Sequence, residues 1–213
     1  MSRRLLDPRY LVGSWPLNGH AQDVSGHGNH GVWSGTEAYG AFFKNSRQCA
    51  VFDGASQVAV ADNPQINSAC GVGQPRTISL WFRTTTVENL VLIDKGANEN
   101  FALQSWTGVN AGRIIWIVGG GPIGSTDNTF NDGSWHHLCG VYTGTTMILY
   151  IDDSLQASTV RAASASNSSR LTFGARDSLV APYVGDFANV RIYNIELTRD
   201  EILKLFHAPV PTY

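Results

Sequence analysis

The chain has 213 residues with 15 basic and 17 acidic side chains, which gives a formal net charge of −2. This balance excludes the basic surface that marks most nucleic-acid-binding proteins, and no apolar run approaches the roughly 18 residues that a membrane-spanning helix needs. Charged residues make up only 15% of the chain, below the usual share of about 25%. The length suits one large all-β domain or two small domains.

The N-terminus is basic, but Asp7, Pro8 and Arg9 interrupt any apolar stretch behind it. We therefore predict no signal peptide, which indicates synthesis in the cytoplasm. The destination stays open, with a virus particle and the extracellular space as the alternatives. The cysteines are odd in number, and Cys49 and Cys139 lie in apolar runs, so buried free thiols are expected.

The segment 14–33 is rich in glycine and histidine. One interpretation is a metal-binding loop, because His20, Asp23, His27 and His30 are all residue types that can ligate a metal. The other is a tight structural loop whose backbone needs glycine. The segment alone does not decide between them.

Short β-rich runs recur along the rest of the chain, separated by turn signals such as Asn18-Gly19 and Asp132-Gly133. Many short strands between regular turns favour a sandwich or jelly roll. No linker interrupts the pattern, so we predict a single domain over 11–207, an N-terminal arm over 1–10 and a tail over 208–213. The predicted strands lie near 11–17, 48–53, 57–61, 76–84, 89–95, 100–105, 113–118, 135–143, 146–152, 155–160, 170–174 and 183–194.

One helix is predicted at the end of the chain, in the sequence LTRDEILKLFH. Thr198 followed three residues later by Glu201 forms a capping box. Ile202, Leu205 and Phe206 make one apolar stripe. We expect this helix to dock on the edge of the sandwich.

Eight segments between Trp15 and Ile202, taken in order, resemble the laminin-G-like jelly roll family, part of the concanavalin-A-like lectin/glucanase fold. Four of the eight carry most of the pattern. They are WPLNGHAQDVSGHGNHG (15–31), TISLWFRT (77–84), DGSWHHLCGVY (132–142) and VGDFANVRIYNIELTRDEI (184–202). The resemblance implies two antiparallel sheets of about six or seven strands each, stacked face to face. The expected fold is thus an all-β, two-sheet jelly-roll sandwich with a short C-terminal helix.

The resemblance also implies a structural calcium ion at the opening loop. Calcium prefers six to eight oxygen ligands, and Asp23 matches the aspartate of the family pattern. The family's second carboxylate is replaced here by Ala188 and Asn189, and Asp186 lies two residues before Ala188 on the same strand face. The expected metal ligands are therefore Asp23 and Asp186.

Catalytic patterns are missing from the sequence. His136 and His137 are neighbours in a strand, so they point to opposite faces and cannot share a ligand. The acidic residues form no E-x-D-x-x-E string, and no nucleophile elbow occurs. We expect no enzyme activity; a glycan hydrolase or lyase, which would need two clustered carboxylates, is the remaining alternative.

The predicted function is a non-catalytic binding or adhesion module for a glycan or a protein surface. A sugar site needs an aromatic ring for stacking and polar groups for the hydroxyls. The candidate ligand-binding residues are Trp33, Trp106, Asp127, Asn128 and Tyr183.

An alternative function comes from the absence of a signal peptide. A module of this type that stands alone fits a bacteriophage virion protein, such as a capsid decoration protein or a tail adhesin. Its partners would be other virion proteins or further copies of itself in a homo-oligomer.

Overall fold

The computed structural model describes residues 5, 7–41, 47–96, 102–105, 112–126, 130–162 and 168–207. In chain order the elements are β1 (Leu11–Trp15), β2 (Gly31–Ser34), β3 (Tyr39–Ala41), β4 (Gln48–Asp53), β5 (Gln57–Val60), α1 (Pro64–Ala69), β6 (Arg76–Arg83), β7 (Val91–Asp94), β8 (Ala102–Ser105), β9 (Ile114–Val118), β10 (Gly121–Gly124), β11 (His136–Tyr142), β12 (Thr146–Ile151), β13 (Ser154–Val160), β14 (Leu171–Phe173), β15 (Val184–Tyr193) and α2 (Arg199–His207).

The strands form two antiparallel sheets. The eight-stranded sheet has the order β13-β12-β11-β6-β15-β4-β3, and β1 pairs with the C-terminal half of β15. The seven-stranded sheet has the order β10-β9-β8-β7-β14-β5-β2. The resemblance implied six or seven strands in each sheet, and the first sheet therefore has one more than expected. The jelly-roll sandwich itself is confirmed.

Alternating side chains on β6 show how the core is built. Ile78, Leu80 and Phe82 point into the cluster between the sheets, whereas Trp81 belongs to a separate cluster on the outer face. This is the division that the period of two in a strand predicts. The main hydrophobic core therefore lies between the two sheets.

The C-terminal helix packs on the outer face of the eight-stranded sheet, not on the edge that we expected. Ile202 and Leu205 are buried against Cys139 and Val141, which point outward from β11. The capping box is present, because Glu201 Oε2 accepts a hydrogen bond from the backbone N–H of Thr198 at 3.0 Å. A sheet face offers the apolar stripe of a helix more area to bury than an edge does.

A parallel ring pair extends this contact at the end of the helix. Phe206 stacks on Trp81 with ring centroids 5.5 Å apart and an interplanar angle of 12°. His137 lies beside both rings, and its Nε2 is 2.8 Å from Ser79 Oγ. His136 lies on the other face of the sheet, as predicted.

The N-terminal segment takes part in the same packing. Leu5 is buried in the cluster beneath α2, and Tyr193 Oη donates a hydrogen bond to its carbonyl oxygen at 3.3 Å. Asn194 Nδ2 donates to the carbonyl oxygen of Arg9 at 3.1 Å. The described part of residues 1–10 is thus bound to the sandwich.

The twelve strands predicted from sequence are all present. The described residues also form three further strands and the helix α1, which are not among the predictions. The missed strands β2, β3 and β10 have only three or four residues each. The Asn63-Pro64 turn signal marks the beginning of α1, where the Asn63 side chain accepts a hydrogen bond from the backbone N–H of Gln65. Asparagine before a helix and proline in its first turn are typical N-terminal signals.

The three cysteines are free and buried, as expected. Burial raises the pKa of the Cys49 thiol to about 11 and that of Cys70 to about 12. Thiols with such raised pKa values are poor nucleophiles at neutral pH. Neither helix in the described part of the chain is long and apolar enough to cross a membrane.

We predict that Ile202→Ala lowers the free energy of unfolding by about 2–5 kcal/mol, because it leaves a cavity beneath α2. The matched change Lys204→Ala, on the exposed side of the same helix, is expected to change stability by less than about 0.5 kcal/mol. Urea denaturation of the two variants measures both values. Equal stabilities would show that α2 contributes no packing to the fold.

Candidate functional site

The glycine-rich loop between β1 and β2 is organised around the carboxylate of Asp23. Asp23 Oδ1 accepts hydrogen bonds from the backbone N–H groups of Ser14 and Ser25, both at 2.9 Å. Asp23 Oδ2 accepts from Ser25 Oγ at 2.8 Å and from the backbone N–H of Asn29 at 2.9 Å. The side chain is 6% exposed, so these charge-assisted bonds lie largely out of water.

Asn29 joins the same loop to the first strand. The side-chain Nδ2 of Asn29 donates to the backbone carbonyl oxygen of Val12 at 2.9 Å. The backbone carbonyl oxygen of Asn29 accepts a hydrogen bond from Trp15 Nε1 at 2.7 Å. The loop is therefore held against β1 by side-chain and backbone hydrogen bonds. These contacts support the structural interpretation of the segment.

The expected calcium ligands do not fit a cation. The two oxygens of Asp23 already face four N–H or O–H donors, which present their positive ends to the position that an ion would take. Asp186 forms an ion pair with Arg83, whose Nη2 is 2.5 Å and Nε 2.7 Å from Asp186 Oδ2. No group of three or more His, Cys, Asp or Glu residues that could hold a metal occurs in the described part of the chain.

The three loop histidines have separate local contacts. His20 Nδ1 accepts from the backbone N–H of Gln22, and His30 Nδ1 accepts from the backbone N–H of Asp23, both at 3.2 Å. His27 Nε2 lies 2.8 Å from the carbonyl oxygen of Pro8, which can only accept, so this nitrogen carries the proton. The structure therefore does not bring these histidines together around one ion.

The candidate sugar-stacking residue Trp33 is half-buried at the side of the sandwich. Its Nε1 donates to Tyr39 Oη at 2.9 Å, and Tyr39 Oη donates to Glu37 Oε1 at 2.7 Å. Burial and the hydrogen bond to Glu37 raise the pKa of Tyr39 to about 12. Because Trp33 lies on an edge strand of one sheet and Tyr39 on an edge strand of the other, the pair closes the gap between the sheets while part of the Trp33 ring stays at the surface.

Tyr183, in contrast, is not a surface residue. It is 1% exposed, its ring stacks on Phe187 at 4.3 Å, and its hydroxyl donates to the carbonyl oxygen of Arg83 at 2.8 Å. A ring enclosed by the core cannot stack on a sugar, so the assignment of Tyr183 to a ligand site is corrected here. Trp106, Asp127 and Asn128 lie outside the described residues.

A cleft of about 440 Å³ is present at a different place, where the N-terminal arm meets the glycine-rich loop and α1. Its size is within the range of about 300–1,000 Å³ that is usual for small-molecule sites. The walls combine amide, hydroxyl, imidazole and guanidinium groups with two proline rings and two small apolar side chains. The lining residues are Pro8, Arg9, Val12, His27, Pro64, Gln65, Ser68, Ala69, Gln74 and Asn194.

Hydrogen bonds hold the cleft walls in place. The backbone N–H of Asn194 donates to the carbonyl oxygen of Tyr10 at 2.9 Å, and the Asn194 side chain donates to Arg9. The bond from His27 to Pro8 joins the glycine-rich loop to the arm. A site whose walls are already ordered loses less entropy on binding.

None of the cleft residues was identified as a ligand-binding residue from sequence. His27 was a candidate metal ligand only. The other lining residues lie in the predicted arm, in predicted strands, at the Asn63-Pro64 turn signal or in the segment 65–75, which received no prediction. Gln65, Gln74 and Asn194 are far apart in the sequence and form no recognisable motif. The one available signal was Asn63-Pro64, which marks the beginning of α1. Residues of α1 form one wall of the cleft.

A second polar cluster lies where the β12–β13 turn meets the loop before β11. His136 Nδ1 is 2.5 Å from Asp152 Oδ2, and His136 Nε2 is 3.2 Å from Asp132 Oδ1. Burial lowers the pKa of His136, but the hydrogen bonds and charges of Asp152 and Asp132 outweigh it, and the net shift is upward. Both ring nitrogens can donate to carboxylates only when the imidazole is protonated.

We predict that Asp23→Asn lowers the free energy of unfolding by about 2 kcal/mol, because a neutral amide replaces the charged acceptor and puts an NH₂ group against backbone donors. Asp200→Asn, at an exposed helix position, is the matched control and should lower the free energy of unfolding by less than about 1 kcal/mol.

Thermal unfolding with millimolar calcium and with EDTA should give the same Tm for the wild type. A calcium-dependent rise in Tm would contradict this account of the loop.

We predict a pH-dependent effect for His136→Gln. A group with a raised pKa in the folded state contributes stability that is fully present below its unfolded pKa, about 6.5, and lost as the pH rises through the folded value. The stability difference between wild type and variant should therefore be larger at pH 6 than at pH 9. Denaturation curves at both pH values measure it, with His207→Gln as a control; a difference independent of pH would refute the charged pairing.

Comparison with solved structures shows the fold in other proteins. Domain 4 of AbnA, an extracellular arabinanase from Geobacillus stearothermophilus solved with arabinotriose, superposes with a TM-score of 0.70 at 17% identity, over 92% of this chain and 98% of that one. The binding domain of Paraclostridial Mosquitocidal Protein 1 gives 0.69 at 17%, over 94% and 52%. The binding domain of botulinum neurotoxin DC, solved with rat synaptotagmin II, gives 0.70 at 16%, over 95% and 52%.

The chain spans about half the length of the toxin chains that it matches. No curated protein matches the sequence at a significant level. Residues 52–203, however, match a laminin-G family profile described as the concanavalin A-like lectin/glucanases superfamily. The chain belongs to this family, and its structural relatives include binding domains of larger proteins.

Proposed function

We propose that this protein is a non-catalytic carbohydrate-binding module whose ligand occupies the cleft between the N-terminal arm, the glycine-rich loop and α1. The observation that carries this proposal is the cleft itself, which combines ordered walls with many neutral hydrogen-bonding groups. An oligosaccharide presents alternating hydroxyl groups and apolar C–H faces, and such a ligand needs both kinds of contact.

The lining offers a partner for each kind of sugar surface. Gln65, Gln74 and Asn194 supply amides, each of which can donate and accept. His27 Nε2 donates to the carbonyl oxygen of Pro8, so the ring is held against the arm by a hydrogen bond. The rings of Pro8 and Pro64 give apolar surface for the C–H face of a sugar, in place of the aromatic ring that was expected from the sequence.

The charges of the lining favour binding over hydrolysis. Glycoside hydrolysis generally uses two carboxylates that flank the scissile bond, and none of the described residues that line the cleft is acidic. Asp7, next to the cleft wall, is engaged by Arg9, and the hydrogen bonds from Arg9 lower the pKa of Asp7 to about 2. A carboxylate held in its charged form by a guanidinium is a poor general acid at neutral pH.

Relatives with the same fold support a binding role. The arabinanase domain was solved with arabinotriose, and one botulinum neurotoxin type C study ties cell entry to two ganglioside molecules. At 15–17% identity these relatives show the fold alone, and the toxin chains extend well beyond the part matched here. The assignment of the glycan site to this cleft therefore depends on the cleft residues themselves.

The test is a glycan-array screen of the whole chain, followed by isothermal titration with the best oligosaccharide, in calcium and again in EDTA. We expect saturable binding that is the same in both buffers. Gln65→Ala and Gln74→Ala should each weaken it about five- to tenfold, the usual effect of losing one hydrogen bond. Gln22→Ala is the matched control, because Gln22 is an exposed glutamine outside the cleft lining.

The outcomes separate the site from the function. Binding that survives both cleft substitutions would move the glycan site elsewhere, and the surface of Trp33 would be examined next with Trp33→Ala. No glycan binding in either buffer would refute the carbohydrate proposal and favour recognition of a protein surface, including the virion role considered above.

A further inference from the structure

A buried arginine, Arg191, lies on the outer face of the eight-stranded sheet. It belongs to the C-terminal half of β15 and is 6% exposed. Its register partners are Ser14 on β1 and Ser79 on β6. Residues directly opposite each other in antiparallel strands share a face of the sheet, and the Ser79 hydroxyl lies beside His137 in the aromatic cluster of the outer face. Arg191 therefore points away from the core between the sheets.

The guanidinium of Arg191 has no partner in the part of the chain that the structure describes. It donates no hydrogen bond, forms no ion pair and contacts no aromatic ring there. Its nitrogens are not among the unpaired polar atoms that the described residues seal from solvent, so the group reaches solvent through a narrow opening. Arginine stays charged at physiological pH, and a buried charge without a counter-charge is destabilising. An anion at the opening would remove this destabilisation.

The acidic side chains of the surrounding elements are engaged elsewhere. Asp186, on the same face of β15, forms an ion pair with Arg83. Asp23, at the far edge of β1, accepts hydrogen bonds from four donors. Glu201 accepts from the backbone and the side chain of Thr198 at the start of α2. The charge of Arg191 is therefore not balanced by these carboxylates.

Two serine hydroxyls flank Arg191, one on each neighbouring strand. Ser14 is 3% and Ser79 2% exposed. Ser14 Oγ has no hydrogen-bond partner among the described residues and is not one of the sealed polar atoms. Ser79 Oγ is 2.8 Å from His137 Nε2, and when that nitrogen donates, the proton of the serine hydroxyl is available to another acceptor. Two hydroxyls and a guanidinium thus occupy one row across three strands.

This row of donors fits one class of anion better than others. A guanidinium binds an oxyanion with two parallel N–H groups. A carboxylate offers two oxygens in one plane, which the guanidinium alone would satisfy. A phosphate or sulfate group offers further oxygens in a tetrahedral arrangement, and these can accept from hydroxyls on either side.

We propose that Arg191, Ser14 and Ser79 form a binding site for a phosphate or sulfate group on the outer face of the sheet. The guanidinium supplies the charge and two parallel donors, and the serines supply donors from the neighbouring strands. None of the three residues lines the cleft between the arm and α1. The site is therefore a second one, and it does not depend on carbohydrate binding at the cleft.

The experiment is thermal unfolding and isothermal titration of the whole chain with sodium phosphate and sodium sulfate, against sodium chloride at equal ionic strength. We expect a saturable rise in Tm, about 3–6 °C at ten times the Kd. Arg191→Lys keeps the charge but loses the two parallel donors and should weaken binding about tenfold. Arg191→Met keeps an unbranched side chain without the charge and should abolish binding.

Methyl phosphate, as a further probe, distinguishes the two sources of the group. Binding as tight as that of inorganic phosphate would identify an ester carried by a larger molecule as a ligand. Binding of the inorganic ions alone would identify a free ion.

The controls separate a specific site from a general salt effect. Phosphate and sulfate also stabilise proteins by exclusion from the surface, so the rise in Tm of Arg191→Met measures that effect and is subtracted. Arg199→Met removes an arginine that is 65% exposed and should leave anion binding unchanged. In chloride, Arg191→Met should be at least as stable as the wild type, because it removes an unpaired buried charge.

Two results would overturn the proposal. One is a rise in Tm with phosphate or sulfate that is as large in Arg191→Met as in the wild type. The other is a marked loss of stability of Arg191→Met in chloride, which would show that the guanidinium already has a structural partner.

Discussion

A single buried carboxylate determines the shape of the segment from which the cleft is built. Asp23 accepts hydrogen bonds from three backbone N–H groups and a serine hydroxyl, and backbone donors of this kind are costly to bury without a partner. The chain can wrap around the carboxylate because Gly26 and Gly28 have positive φ angles of 96° and 73°. The wrapped loop directs His27 toward the arm.

The hydrogen bonds to Asp23 do not fit a calcium ion at this loop. A calcium ion in such a position would gather carboxylate and carbonyl oxygens, whereas here a carboxylate gathers backbone N–H groups. The charge balance is the reverse of that at a cation site. Asp186, which could have supplied a second carboxylate, is engaged by Arg83 on the outer face of the sheet.

The sequence by itself determined the elements whose signals are local. Alternation of apolar side chains marks a strand such as β6, the Thr198–Glu201 capping box marks α2, and Asp152-Asp153 marks a turn with two left-handed residues. The short strands β2 and β3 were not predicted, because three or four residues are too few to show the two-residue alternation of a strand.

Only the tertiary structure decided the surfaces. Tyr183 looks like any surface tyrosine until its ring is seen against Phe187 in the core. Arg9 and Asn194 meet at the cleft although 185 positions separate them along the chain. A local pattern shows which face of an element is apolar, but it does not show which distant segment covers that face, and the cleft arises from that choice.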